Sequence, residues 1–425
     1  MTAEPGVVED SEPSTLEHQT THQGHPAGHE TLAAEKASFF RQPKAVWATA
    51  AASVFAFMGI GLVDPILPAI AQNLQASPSQ VSLLFTSYFL VTAVMMLVTG
   101  WVSSRIGGKK TLLIGLALIV VFASLSGTSG SVAELIGWRA GWGLGNSLFV
   151  ATALAVIVGV ASGGTSTAII LYEAALGLGL SLGPLAGALL GGWQWRMPFF
   201  GTATLMAIAF MAIMATLPKT PPAGMKTRFR DPLLALGHAG LRSVAGSAFF
   251  YNFGFYTILA FVPFILGMGA YGIGAVFFGW GVALAVFSVF VAPPLQAKFG
   301  DIKVLAGTLS GLAVVLVGVA VAATLHAVPA VVVLTIVAGA LLGVNNTVYT
   351  ELAMGVSDAP RPVASAGYNF VRWMGGALAP FIATWLGETF GAPVPFYASA
   401  AALVVAIVIA LTGKKFVQEH EPAAI

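Results

Sequence analysis

The chain contains no cysteine among its 425 residues, which excludes disulfides, thiolate metal sites and cysteine nucleophiles. It is nearly as poor in charge. Asp, Glu, Lys and Arg together make up 8%, against about 25% in a soluble domain. With 57% hydrophobic residues and a mean hydropathy of +0.87, the chain belongs in a bilayer. No GxxxxGKS/T loop is present, so ATP-driven chemistry within this chain is excluded. HExxH, GxSxG and cysteine–histidine arrangements are missing too. No catalytic residue, metal centre, cofactor or nucleic-acid partner is expected.

What is present is a series of long apolar runs. A helical span needs about 20 apolar residues, and about twelve runs qualify, centred near residues 59, 92, 119, 146, 179, 207, 255, 284, 313, 341, 375 and 403. The fold expected is an all-α membrane protein. Residues 1–44 are polar and read as a disordered tail, with no cleavable signal ahead of the first span. His18, His22, His25 and His29 lie in that tail at spacings of three and four, which a solvated tail or a weak metal-binding segment would both accommodate. The largest polar break falls at 219–240. The domains expected are thus a six-helix bundle over 45–218, a linker over 219–240, a second bundle over 241–413 and a tail over 414–425.

The two bundles share one plan. Gly179, Gly183, Gly187 and Gly191 recur every four residues, a stripe of bare backbone on which another helix can pack closely. Pro184 interrupts that helix and is expected to bend it. Tyr172, Gly179, Pro184 and Gly191 match Tyr368, Gly375, Pro380 and Gly387 at one offset, 196. Nearby offsets relate Pro65 to Pro263, Phe55 to Phe253, Gly141 to Gly339, and Arg105-Ile106-Gly107 to Lys298-Phe299-Gly300. The pattern implies two parallel six-helix repeats.

All but three of the 19 basic residues, the exceptions being Arg139, Arg196 and Arg372, fall on one side if the N-terminus is cytoplasmic. Both termini are therefore expected inside, in a multi-pass protein of the plasma membrane.

Local motifs narrow the reading. Gly179-x3-Gly183-Pro184-x2-Gly187 resembles the fifth-helix signature of exporters in the major facilitator superfamily, in its drug:proton antiporter branch. GIGLVDPILP (Gly59–Pro68) resembles the motif at the end of the first helix, and Leu135-x3-Arg139-x2-Trp142-Gly143 that of the fourth, with Trp142 in place of the usual Gln. Gly100–Leu112 is similar to the loop between helices two and three, but Ser104 replaces the family's Asp and Gly108 one basic position. Gating at that loop is then expected to rest on Arg105, Gly107, Lys109 and Lys110 with other partners. The flavour of YEAALGLG and GVNNTVYTELAM is most like exporters of aromatic compounds and drugs. The resemblance covers about residues 46–413 and implies alternating access, a small-molecule substrate, a proton gradient in place of a cofactor, and a monomer in the lipid bilayer.

An ionised side chain near the bilayer centre costs at least ~2.5–3.5 kcal/mol, so five need a reason: Asp64, Arg139, Glu173, Glu351 and Arg372. Asp64 lies about 27 Å along the first span and Arg139 about 10 Å into the fourth from the same side. They are expected to face each other, as a proton-coupling pair or as a permanent ion pair that only fixes packing. Glu173 is a coupling or substrate candidate, and Arg372 a group for an anionic substrate or for neutralising Glu173. Glu351 reads as a solvated helix-end carboxylate. Of Asn345 and Asn346, one is expected to point into the cavity as a hydrogen-bonding group and the other to pair with a neighbouring helix. Tyr251, Asn252 and Phe255, with Phe370 and Trp373, are candidates for an aromatic pocket, lipid contact and core packing being the alternatives. The function expected is proton-coupled export of small apolar, aromatic or cationic compounds. A small-metabolite transporter for organic anions, or a lipid-handling or sensor protein on the same scaffold, are the alternatives.

Overall fold

The computed structural model describes residues 42–162, 164–220 and 228–418, without the side chains of 164–167, 169, 170, 173, 361 and 418. The tail histidines and the Glu173 side chain lie outside these described residues.

Among the described residues, twelve helices of spanning length succeed one another: α1 (Lys44–Asn73), α2 (Pro78–Ile106), α3 (Gly108–Thr128), α4 (Val132–Val160), α5 (Gly164–Gly191), α6 (Met197–Thr216), α7 (Ala239–Ile265), α8 (Ala270–Phe299), α9 (Asp301–Thr324), α10 (Val328–Gly355), α11 (Arg361–Phe390) and α12 (Val394–Thr412). Eleven are apolar enough to cross a membrane by composition. The exception is α11, which at 30 residues is long enough but carries Tyr368, Asn369 and Arg372. It accommodates them by packing along α2 and α7.

Element ends follow local chemistry. Ser77 and Gln80 form a reciprocal capping box at the start of α2 (3.0 and 3.2 Å), and Ser131 caps α4 through the Glu134 amide. The α2–α3 corner turns on Gly107 at φ 87°, and the α8–α9 corner on Gly300 at φ 79°. Both angles favour glycine. The matched corners make the repeat visible in the backbone itself.

One sequence match is replaced. Gly141 lies against the Phe122 ring of α3, whereas Gly339 backs onto the Trp280 carbonyl of α8. The counterpart of Gly339 is Gly143, which backs onto the Tyr88 carbonyl of α2. An equivalence is set by which backbones meet, and a tally of offsets was two residues out.

The glycine stripe does what its spacing implies. Gly179, Gly183 and Gly187 face the carbonyls of Val54, Met58 and Leu62, themselves four apart on α1, and Gly191 faces Ile66. In the second half Gly375 faces the Phe249 carbonyl and Gly387 the Phe261 ring, so α7–α11 repeats α1–α5. The other flank of α5 meets the second half: a Cβ on Gly281 of α8 would lie 2.7 Å from the Ser181 Cα. Pro184 sits inside α5, next to Gly61 of α1.

The halves also touch at the end opposite the basic residues. Ser79 of α2 donates its amide to Glu388 of α11 (2.9 Å), and the Ser82 and Thr384 hydroxyls share a hydrogen bond (2.7 Å). Tyr271 lies against Gly192 there.

At the basic end, the Lys109 ammonium donates to the Met214 carbonyl (2.9 Å) and to that of Leu217, closing the C-terminus of α6. Arg105 lies over the Trp101 ring (4.6 Å). The basic corner is thus tied within its own half. Lys109 neutralises the negative end of a helix dipole, so Lys109→Met should lower stability by about 1 kcal/mol. Thermal unfolding of the purified protein reads this directly, and an unchanged midpoint would dismiss the cap.

Candidate functional site

The first span does not run as one helix: Pro65 and Pro68, three residues apart, supply no N–H to the Gly61 and Asp64 carbonyls. The α-helix stops at Gly61, a 3-10 turn spans Asp64–Ile66, and the helix resumes at Leu67. Asp64 sits at this break, fully buried, and neither carboxylate oxygen has a hydrogen-bond partner among the described residues.

Arg139 of α4 is also fully buried, and none of its three guanidinium nitrogens has a hydrogen-bond partner there. Its guanidinium lies 4.5 Å from the Tyr88 ring centroid and 4.5 Å from that of Trp142. The face-to-face pairing expected of Asp64 and Arg139 is therefore replaced: the two act on each other electrostatically, but the cation is seated between aromatic faces. This also accounts for Trp142 in the fourth-helix motif, since its ring supplies a π-surface where an amide would supply hydrogen bonds.

In the second half Arg372 is half-buried in the middle of α11. Its Nη2 donates to Asn346 Oδ1 of α10 (2.5 Å) and its Nε to Asn252 Oδ1 of α7 (3.4 Å), while Asn252 donates back to the Arg372 carbonyl (3.0 Å). The guanidinium lies 5.8 Å from the Tyr368 ring centroid. Among the described residues no carboxylate touches it. Asn252, Asn346 and Arg372 are thus brought together from three helices.

Asn345 is not part of this group. It is fully buried and its Oδ1 accepts from Thr308 of α9 (2.7 Å). Adjacent helical residues point about 100° apart, which sends the two asparagines to different neighbours. Thr308→Val should strand Asn345 and cost about 1 kcal/mol of thermal stability, with transport retained. Loss of transport in a folded Thr308→Val protein would return Asn345 to the site.

Tyr251 and Phe255 are packed inside the second half. Tyr251 donates to the Leu342 carbonyl (2.9 Å) and stacks near Tyr349, and Phe255 meets Trp280 edge-on (5.3 Å). Trp373 instead reaches across. Its ring lies 5.3 Å from Phe89 of α2, which lies 4.3 Å from Tyr256 of α7. The Phe89–Tyr256–Trp373 cluster joins the halves, and sequence reading missed Phe89 and Tyr88. A usable signal existed: Tyr88 stands to Gly143 as Trp280 stands to Gly339, an aromatic at each equivalent position. Glu351 is exposed at the end of α10 and accepts from Gln296 (2.7 Å).

Comparison with known proteins places this geometry. The sequence profile of the Major Facilitator Superfamily matches residues 49–380. The multidrug efflux protein YfmO of Bacillus subtilis is 51% identical over 381 residues, covering 90% of this chain and 96% of that protein. A bacterial homolog of the human lysosomal transporter Spinster, solved inward-facing and occupied, superposes with a TM-score of 0.74 over 89% of this chain and 98% of its own, at 14% identity. A human organic anion transporter superposes with a TM-score of 0.68 over 86% and 99%, at 17% identity.

Proposed function

Because the chain belongs to the Major Facilitator Superfamily, we propose that it is a proton-coupled exporter of small aromatic compounds working by alternating access in the plasma membrane. The observation that carries the proton role is Asp64: a buried carboxylate, at a break in a spanning helix, with no hydrogen-bond donor among the described residues. An isolated buried charge is expensive, so this conformation favours a carboxyl that has taken up a proton. Rotation of the halves opens the break to outer water, where Asp64 takes up its proton; the closed outer side of this conformation then leaves the cytoplasmic side as the route of release. The seated Arg139 keeps a positive charge within electrostatic reach throughout, which favours release once Asp64 is hydrated.

The contacts at the end away from the basic residues, Ser79–Glu388 and Ser82–Thr384, support a closed outer side, with the basic end cytoplasmic and both termini inside. The glycine-lined backbone of α5, wedged between α1 and α8, offers a smooth surface for the halves to rock over. The resemblance to the multidrug efflux protein supports drug-sized substrates. A monomer is sufficient, since the first half supplies Asp64 and the second Arg372.

At about 100 mV and about one pH unit, each proton entering supplies ~3.7 kcal/mol. That sustains a gradient of several hundredfold for a neutral substrate. The test is proton movement in inverted vesicles with an acid interior while a panel of neutral, cationic and anionic aromatic compounds is added. Compound-dependent proton release supports antiport; silence across the panel with folded protein removes it.

A further inference from the structure

We propose that Arg372 is an anion anchor for the substrate, so that the compounds handled best are aromatic carboxylates or similar organic anions. The inference deepens the export reading and rests on it only for the steps after binding.

A guanidinium in the middle of a spanning helix is costly unless it is neutralised or used. Here its direct hydrogen-bond partners are neutral. Asn252 and Asn346 accept from Nε and Nη2, which fixes the plane of the fork and leaves its charge intact. The Tyr368 hydroxyl, one turn away on α11, also lies by the guanidinium, and it too is neutral. Arg372 is also half-buried, whereas Arg139 is fully enclosed between rings. One arginine is therefore closed off and the other is open on one side.

The surroundings specify the rest of the ligand. Trp373 adjoins Arg372 in sequence and meets Phe89 and Tyr256. Tyr256 lies four residues beyond Asn252, the acceptor of Arg372 Nε, and so on the same face of α7. A planar ring against the Tyr256 edge of this cluster would carry a carboxylate substituent towards the fork, where paired N–H groups match carboxylate geometry.

The experiment uses the full-length protein in lipid nanodiscs and isothermal titration with three probes on one ring: naphthalene-2-carboxylate, 2-naphthamide and 2-naphthylmethylammonium. The wild type is expected to bind the carboxylate roughly tenfold or more tighter than the amide, and the ammonium weakest. Arg372→Gln is expected to erase that preference, and Arg372→Lys to keep part of it. No carboxylate binding, or equal or tighter binding of the amide or ammonium by the wild type, would overturn the proposal. So would a carboxylate preference that survives in Arg372→Gln. If Arg372→Gln does not fold, the wild-type series and Arg372→Lys decide. Carboxylate binding without movement in vesicles would remove export and leave the anchor. Export of neutral or cationic compounds without carboxylate binding would do the reverse.

Discussion

Asp64→Asn should abolish compound-driven proton release from inverted vesicles and collapse accumulation from several hundredfold to no more than the equilibrium level. The amide is nearly isosteric with the carboxylic acid and fits the same buried site, so the fold should survive. What disappears is the titratable proton. Without it, the ~3.7 kcal/mol carried by each entering proton has no route into substrate movement. The variant should still bind compounds, because the Arg372 group and the Phe89–Tyr256–Trp373 seam lie elsewhere. Binding retained with coupling lost is the pattern to look for. If Asp64→Asn protein still drives accumulation with an unchanged dependence on the proton gradient, the coupling residue is another group.

Gly187→Ala should have the largest effect on stability, a loss of about 3 kcal/mol or more. A Cβ there would run into the Leu62 carbonyl, with the Leu62 carbon only 2.9 Å away. Both sides of the contact are backbone, so no side chain can swing aside. The helices would have to separate at the place where α1 is already broken before Asp64. Gly159→Ala is the control: it too is a helical glycine, but a Cβ there meets nothing within 4 Å. Alanine should be neutral or stabilising by up to about 1 kcal/mol at that position. Thermal unfolding of the two purified variants separates close approach from helix propensity. Equal midpoints would show that the α1–α5 contact is loose.

Much of the architecture was legible in the residues. Apolar runs and the repeat together marked the twelve spans, because a bilayer demands about 20 apolar residues for each crossing and the second half follows the plan of the first. The four-residue glycine spacing required a closely packed partner. Hydrophobic length and missing side chains both act locally. The α11 helix shows the limit of that logic. It falls short in hydropathy because it faces the protein interior, yet repeat symmetry revealed it through Tyr368, Gly375, Pro380 and Gly387.

The partners of the buried charges were decided only in three dimensions. Arg139 found Tyr88 and Trp142, Arg372 found Asn252 and Asn346, and Asn345 turned to Thr308. Apart from Trp142, which shares α4 with Arg139, each partner lies on a different helix, and its reach depends on helix rotation and packing. Depth along a span, which is all a sequence supplies, placed Asp64 level with Arg139. It said nothing about the two aromatic rings that hold the cation between them.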